Sequence, residues 1–223
     1  MTTYLKVCII CMIMSRKAKS EASKTRKRIL SSALTLFIKK GYDKTTFVDI
    51  ADSLNMTKGA VYWHFDTKHD LLAAVIDDML SRFRKNLLEI IRSEESDFSG
   101  LSFRSFSEEM VKHALKTVAD KKNREFFLFM NEQVRWADDS MDKVRESIMK
   151  NKSFGPWEAF NIAVKNDIKR SLVKPDVKSE QVASCCMALW SGLTRSKISN
   201  FLKTDLEETL ANAYKGIWES IKL

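Results

Sequence analysis

An all-α fold is predicted for this chain by three observations. Its 223 residues contain only two prolines and six glycines, so long helices can run without interruption. Apolar residues recur at helical spacing over long stretches, as at Leu71, Leu72, Val75, Ile76, Met79, Phe83, Leu87 and Ile90. That spacing is the period of one helix face. Between Thr46 and Thr57 the residues read cap, short helix, turn and cap. The expected architecture is an irregular arm over 1–20, a helix-turn-helix over 21–67 and a helical body over 68–223, about nine helices in all.

Each element has a local reason. A helix over 25–40 stops at Gly41. Thr46 followed by Asp49 is a capping-box pair that opens a short helix, whose buried side is expected at Val48, Ile50, Ala51 and Leu54. Leu54-Asn-Met-Thr57 is the turn; Asn55 tolerates positive φ and Thr57 is placed to cap the helix after it. That second short helix, from Lys58 to Phe65, carries Tyr62, Trp63 and His64 on its exposed side. A helix over 68–92 ends at Asp97-Phe-Ser-Gly100. Further helices are expected at about 102–119, 123–136, 140–172 (interrupted near Phe154-Gly-Pro-Trp157), 178–201 and 205–222, with Val173-Lys-Pro-Asp176 as a linker. A short helix with small and polar residues at its start, held to a partner by a tight turn, suits a DNA major groove.

These residues resemble the DNA-binding domain of the TetR family of bacterial transcription regulators. The likeness covers the 25–40 helix, Gly41-Tyr-Asp-Lys-Thr-Thr46, the turn, Lys58-Gly-Ala-Val-Tyr-Trp-His-Phe65, and Lys68 with Leu71-Leu72. The rest of the chain is similar only in length, helical character and helix order. For the DNA-facing residues, Lys58 is expected to reach a guanine edge or a phosphate, while Gly59 and Ala60 let the backbone come close. Tyr62, Trp63 and His64 are expected on phosphate and sugar. Thr46 and Lys68, at the starts of the flanking helices, are expected to bind phosphate, beside the cap residue Thr57.

Charge points the same way. Residues 1–65 hold twelve Lys/Arg against four Asp/Glu, a net of +8, where the whole chain carries +9. A basic quarter on a nearly neutral body is an electrostatic footprint for phosphate.

The opening residues fit less well. Tyr4 to Met14 is apolar except for Lys6, far short of the ~20 residues of a membrane helix, and it lacks the marks of a signal peptide. Translation is expected to begin at Met14. Cys8-Ile-Ile-Cys11 has redox or metal spacing but no second Cys/His pair near it. Cys185 and Cys186 read as small residues of an apolar helix in a reduced, cytoplasmic protein.

Enzyme signatures are missing: there is no glycine-rich phosphate loop and no nucleophile elbow. His64 and His69 are five apart, off the i, i+4 spacing of a helical zinc pair. No catalytic residue, metal ligand or cofactor is assigned.

By the resemblance, the middle helices enclose a small-molecule effector and the last two build a homodimer. Effector contacts are expected from Phe83, Met110, His113, Phe127, Met130, Trp157 and Phe160. The aromatic and methionine content leans towards the multidrug-efflux-regulating branch. Dimer contacts are expected from Cys186, Leu189, Trp190, Leu193, Leu210, Tyr214, Ile217 and Trp218, with Gly192 and Gly216 permitting close approach. The implied function is a repressor that leaves a palindromic operator when the effector tilts helix 68–92, taken as the only covalent bridge between body and DNA head. A helical adaptor acting through protein contacts and a small-molecule-processing enzyme are the alternatives.

Overall fold

The computed structural model describes residues 2–91, 98–150 and 155–223, with side chains over 19–81, 98–146 and 155–223. Ten α-helices lie among them: α1 (Thr2–Lys40), α2 (Phe47–Ser53), α3 (Lys58–Tyr62), α4 (Lys68–Ile91), α5 (Phe103–Ala119), α6 (Lys121–Leu128), α7 (Asp142–Lys150), α8 (Pro156–Lys169), α9 (Ser179–Ile198) and α10 (Leu206–Ile221). The tenth arises where 140–172 was expected as one interrupted element. Pro156 occupies the first turn of α8, where its missing N–H costs nothing.

Two compact units divide the chain: Met1–Asp78 with Arg135–Ile148, and Met79–Val134 with Met149–Leu223. The boundary expected at 67/68 thus falls later, inside α4, because a helix start need not be a unit edge. The chain also passes between the units after Val134 and again within α7, so α4 is not their only covalent bridge.

In the first unit, α1 begins at Thr2 where an irregular arm over 1–20 was expected. Neither proline nor glycine occurs before Gly41, so nothing in the sequence breaks the helix. The side chains of the Tyr4–Met14 run, Cys8 and Cys11 included, lie outside the described residues. Gly41 then takes φ 86° and donates its N–H to the Phe37 carbonyl at 2.9 Å, a left-handed helix end that favours glycine. The stripe Ile29, Leu30, Ala33, Leu34 and Phe37 is buried, as are Phe47, Ile50, Ala51, Val61, Phe65, Leu71 and Leu72. Val48, expected inside, is 46% exposed. Phe47, Ile50 and Ala51 stand at the i, i+3, i+4 spacing of one face, which turns Val48 away.

The second unit centres on α5, α8, α9 and α10. Its core includes Leu101, Phe103, Phe106, Met110, Phe160, Val164, Ala183, Cys186, Leu210 and Tyr214. Buried Asp167 accepts the Phe103 N–H at 2.8 Å and pairs with Arg170 at 3.3 Å, as a buried carboxylate requires. The Asn166 side-chain amide donates to the carbonyls of Phe98 and Leu101. After α6 the backbone widens into a π-helical turn over Phe129–Gln133, with the Val134 N–H on the Phe129 carbonyl at 3.2 Å. An isolated antiparallel bridge joins Val173 to Lys222.

Candidate functional site

Both short helices, α2 and α3, are capped at their starts as the sequence requires. The Thr46 N–H and hydroxyl each donate to the Asp49 carboxylate at 2.8 Å, while the Thr46 oxygen accepts the Asp49 N–H at 3.2 Å. Lys40 sits 2.5 Å from the other carboxylate oxygen. The lysine hydrogen bond, together with those from Thr46, lowers the Asp49 pKa to about 2. The Thr46 hydroxyl proton is therefore committed to Asp49, which corrects its expected availability to phosphate.

Asn55 has φ 52°, and the Met56 N–H returns to the Ala51 carbonyl at 2.9 Å. The Thr57 oxygen accepts the Ala60 N–H at 3.3 Å, which leaves its own O–H able to donate outward. Arg28 reaches the Leu54 carbonyl, and the hydroxyls of Ser32 and Ser53 meet at 2.5 Å, fastening α2 to α1.

This frame fixes which side of α3 faces out. Val61 and Phe65 are buried, while Lys58, Gly59, Tyr62 and Trp63 are exposed and Ala60 and His64 half-buried. Trp63 is 73% exposed, beside Tyr62 at 47%. A Cβ built on Gly59 would meet only the Thr57 hydroxyl oxygen at 3.9 Å. The fold itself therefore does not demand glycine there. Burial, then the Arg26 charge, lowers the His64 pKa, and Arg26 itself lies 4.9 Å over the Phe65 ring.

Lys68 is placed differently from the expectation. Its ammonium donates to the carbonyls of Tyr42 and Asp43, both at 3.0 Å, and lies 4.5 Å from the centre of the Tyr42 ring. Two of its three donors hold the turn between α1 and α2. The start of α4 has its own capping pair, missed in the sequence: the Thr67 N–H donates to the Asp70 carboxylate and the Thr67 hydroxyl oxygen accepts the Asp70 N–H, both at 3.1 Å. The same Thr-x-x-Asp spacing that marked Thr46 was there to find it.

Residues 29–75 match the family described as bacterial regulatory proteins, tetR family. Over that segment the chain carries a TetR-type DNA-binding domain, and along most of its length it is similar to TetR-family regulators. Among curated relatives, the HTH-type transcriptional regulator TtgR of Pseudomonas putida is 26% identical over 82% of this chain and 84% of its own. The HTH-type transcriptional regulator AcrR of Shigella flexneri is 28% identical over 81% of each. The probable acrEF/envCD operon repressor of Escherichia coli reaches 47% identity over 58 residues, 26% of each chain. Identity is thus concentrated in a short segment. The solved SmeT–triclosan complex shares the fold, with a TM-score of 0.68 at 20% identity, over 90% of this chain and 92% of that one.

The body holds the second group of expected residues. They divide between two places in the second unit. Met110, His113 and Phe127 gather around Trp190: its indole N–H donates to the Met110 carbonyl at 3.1 Å, and the rings of His113 and Phe127 lie 5.4 and 5.5 Å away. Burial, then the Lys116 charge, pushes the His113 pKa down to about 4. Phe160 packs instead with Phe103, Phe106 and Tyr214. Trp157 and Met130 are half-buried, and the Trp157 indole donates to Ser184 at 3.1 Å. The Phe83 side chain lies outside the described residues.

Of the residues expected at the dimer face, Cys186, Trp190, Leu210 and Tyr214 are 0, 8, 0 and 2% exposed within the subunit's own core. That corrects their assignment. Spacings of four residues, 186 to 190 and 210 to 214, keep each pair on the face turned inward. Leu189, Leu193, Ile217 and Trp218 are half-buried on neighbouring stripes, and Gly192 and Gly216 are exposed with nothing within 4 Å of an added Cβ. Burial raises the Cys186 thiol to about 12, which leaves it a protonated core group.

Among the described residues, no helix is long and apolar enough to cross a membrane, and no cluster of three His, Cys, Asp or Glu is arranged for a metal ion.

Proposed function

We propose that this chain is a homodimeric, cytoplasmic repressor whose α3 enters the major groove of a palindromic operator and which a small hydrophobic or aromatic effector releases. The outward face of α3 carries the reading. It combines a cation, a glycine the fold does not require, and two exposed aromatics beside a basic helix. Lys58 would donate to a guanine edge or phosphate. Tyr62, Trp63 and the Thr57 hydroxyl would hold backbone phosphates and sugars, with His64 beside them and Ala60 offering a methyl contact. Dimerisation through Leu189, Leu193, Ile217 and Trp218 would set two copies of α3 at half-site spacing.

Two features support an effector site in the second unit. The SmeT structure, similar in fold, is a complex with triclosan, and the Trp190 cluster of Met110, His113 and Phe127 would accommodate an aromatic effector here. Asn161 and Thr194 each carry a buried oxygen without a hydrogen-bond partner among the described residues, and buried polar atoms ordinarily have one. An effector with a donor group would supply it. The effector shifts DNA affinity only by its differential affinity for the two protein states, and the coupling is reciprocal.

Footprinting on the DNA flanking the chain's own gene, with and without a panel of hydrophobic and aromatic compounds, tests this reading. It predicts a protected palindrome that one class of compound releases. A helical adaptor would give no footprint at any concentration.

A further inference from the structure

We infer that Tyr62 determines sequence specificity through its ring, by holding the Lys58 ammonium in position on the recognition helix. This rests on the reading of α3 as the DNA-contacting helix. Lys58 and Tyr62 stand four residues apart, and helical side chains lean towards the N-terminus, which brings the tyrosine ring under the lysine. The Lys58 nitrogen lies 5.3 Å from the ring centre, within range of the attraction between a cation and the negative face of an aromatic ring. The ring is itself held. Phe47, buried at the start of α2, meets it edge-on at 4.8 Å between centres with 62° between planes. Phe47 thus fixes Tyr62, and Tyr62 fixes Lys58.

The order matters because a free lysine is a poor reader of bases. It has a flexible four-carbon stem and a compact, rotatable charge, and it will bind whichever phosphate or base acceptor is near. An ammonium resting on a fixed ring is confined to one region of the exposed surface, and confinement lowers the ordering cost of a directed bond to a guanine edge. Tyr62 is then a positioning residue for base readout, apart from any phosphate contact its hydroxyl makes. The ring acts on discrimination between sequences; the hydroxyl acts on affinity for all of them.

The experiment measures binding to the footprinted operator and to variants substituted at each base pair, for full-length protein. The pair read by Lys58 is the one whose substitution no longer matters in Lys58→Ala. Tyr62→Phe should lower affinity for all these duplexes alike and keep discrimination at that pair. Tyr62→Leu should reduce discrimination about threefold per half-site, or roughly tenfold for the dimer, and change nothing further when combined with Lys58→Ala. Tyr62→3,5-difluorophenylalanine, which keeps the ring's shape and drains its negative face, should fall between Phe and Leu and guards against a folding defect in the leucine variant. Undiminished discrimination in both Tyr62→Leu and the difluoro variant overturns the inference, as does equal loss in Tyr62→Phe. If instead Lys58→Ala alters neither affinity nor preference at any pair, the DNA-reading role of α3 itself fails.

Discussion

Replacing Lys68 by methionine separates a clamp from a phosphate contact. The substitution keeps most of the stem and removes the charge together with the bonds to the Tyr42 and Asp43 carbonyls. A hydrogen bond from a charged donor contributes about 1.5–3 kcal/mol when sheltered and less when exposed. Lys68 is half-buried, and burial lowers its pKa, so it has given up part of its hydration. Allowing about 0.7 kcal/mol for each bond and about 0.5 kcal/mol for the ring contact, the loss is about 2 kcal/mol. For a chain of this size that lowers Tm by about 4–8 °C. Thermal unfolding followed by circular dichroism gives the first number, and operator titrations at several salt concentrations give the second. Because two of three donors face the protein, the slope of log affinity against log salt should stay within about 0.3 of wild type, while operator and random DNA weaken together. An unchanged Tm with a slope reduced by about 0.9, the value of one lost phosphate contact, would refute the clamp.

Gly59→Ala should leave Tm equal or raise it, since the Cβ meets nothing closer than 3.9 Å and alanine favours helix by up to about 1 kcal/mol; operator affinity should nonetheless fall at least tenfold, and unaltered affinity would remove the close-approach role. Leu189→Glu with Ile217→Glu should yield a folded monomer by sedimentation, because unpaired charge buried at an interface costs about 3–5 kcal/mol; a double variant that stays dimeric would place the interface elsewhere. His113 titrates at about 4 in the fold against an ordinary 6.5, so the neutral form is favoured and its stabilisation is complete above about pH 6.5. It is lost as pH falls towards 4, by about 3 kcal/mol in all. His113→Gln should flatten that part of the stability–pH curve, and equal slopes in both proteins would show that the group is not sheltered.

The parts of this fold legible in the sequence are those whose chemistry is local. Thr46 with Asp49, Asn55 and Thr57 each act on backbone within three or so residues, so spacing alone places them, and the inward phase of α1 follows from a long periodic stripe. Val48 departs from its expected place because a seven-residue helix is too short for periodicity to fix its phase. Lys68 turns inward, against expectation, because its partners lie 25 and 26 residues earlier, in a turn whose path no spacing rule gives. The same limit explains Trp190. Its helix is apolar on more than one side, and sequence cannot say which side meets His113, 77 positions back, and which is left for a second subunit. The Thr67–Asp70 pair at the start of α4 has the same local spacing as Thr46–Asp49 and is equally visible in the sequence.

The central claim is that α3 reads a specific duplex as part of a symmetric dimer. Selection of binding sequences from a randomised DNA pool by the full-length protein tests it most directly. The expected product is a single inverted repeat, with half-site centres about 10–10.5 base pairs or a multiple of that apart. The same selection with Lys58→Ala should change one or two letters in each half-site and leave the spacing untouched. A pool in which no sequence is enriched, or in which a repeat appears with identical letters for both proteins, would contradict it.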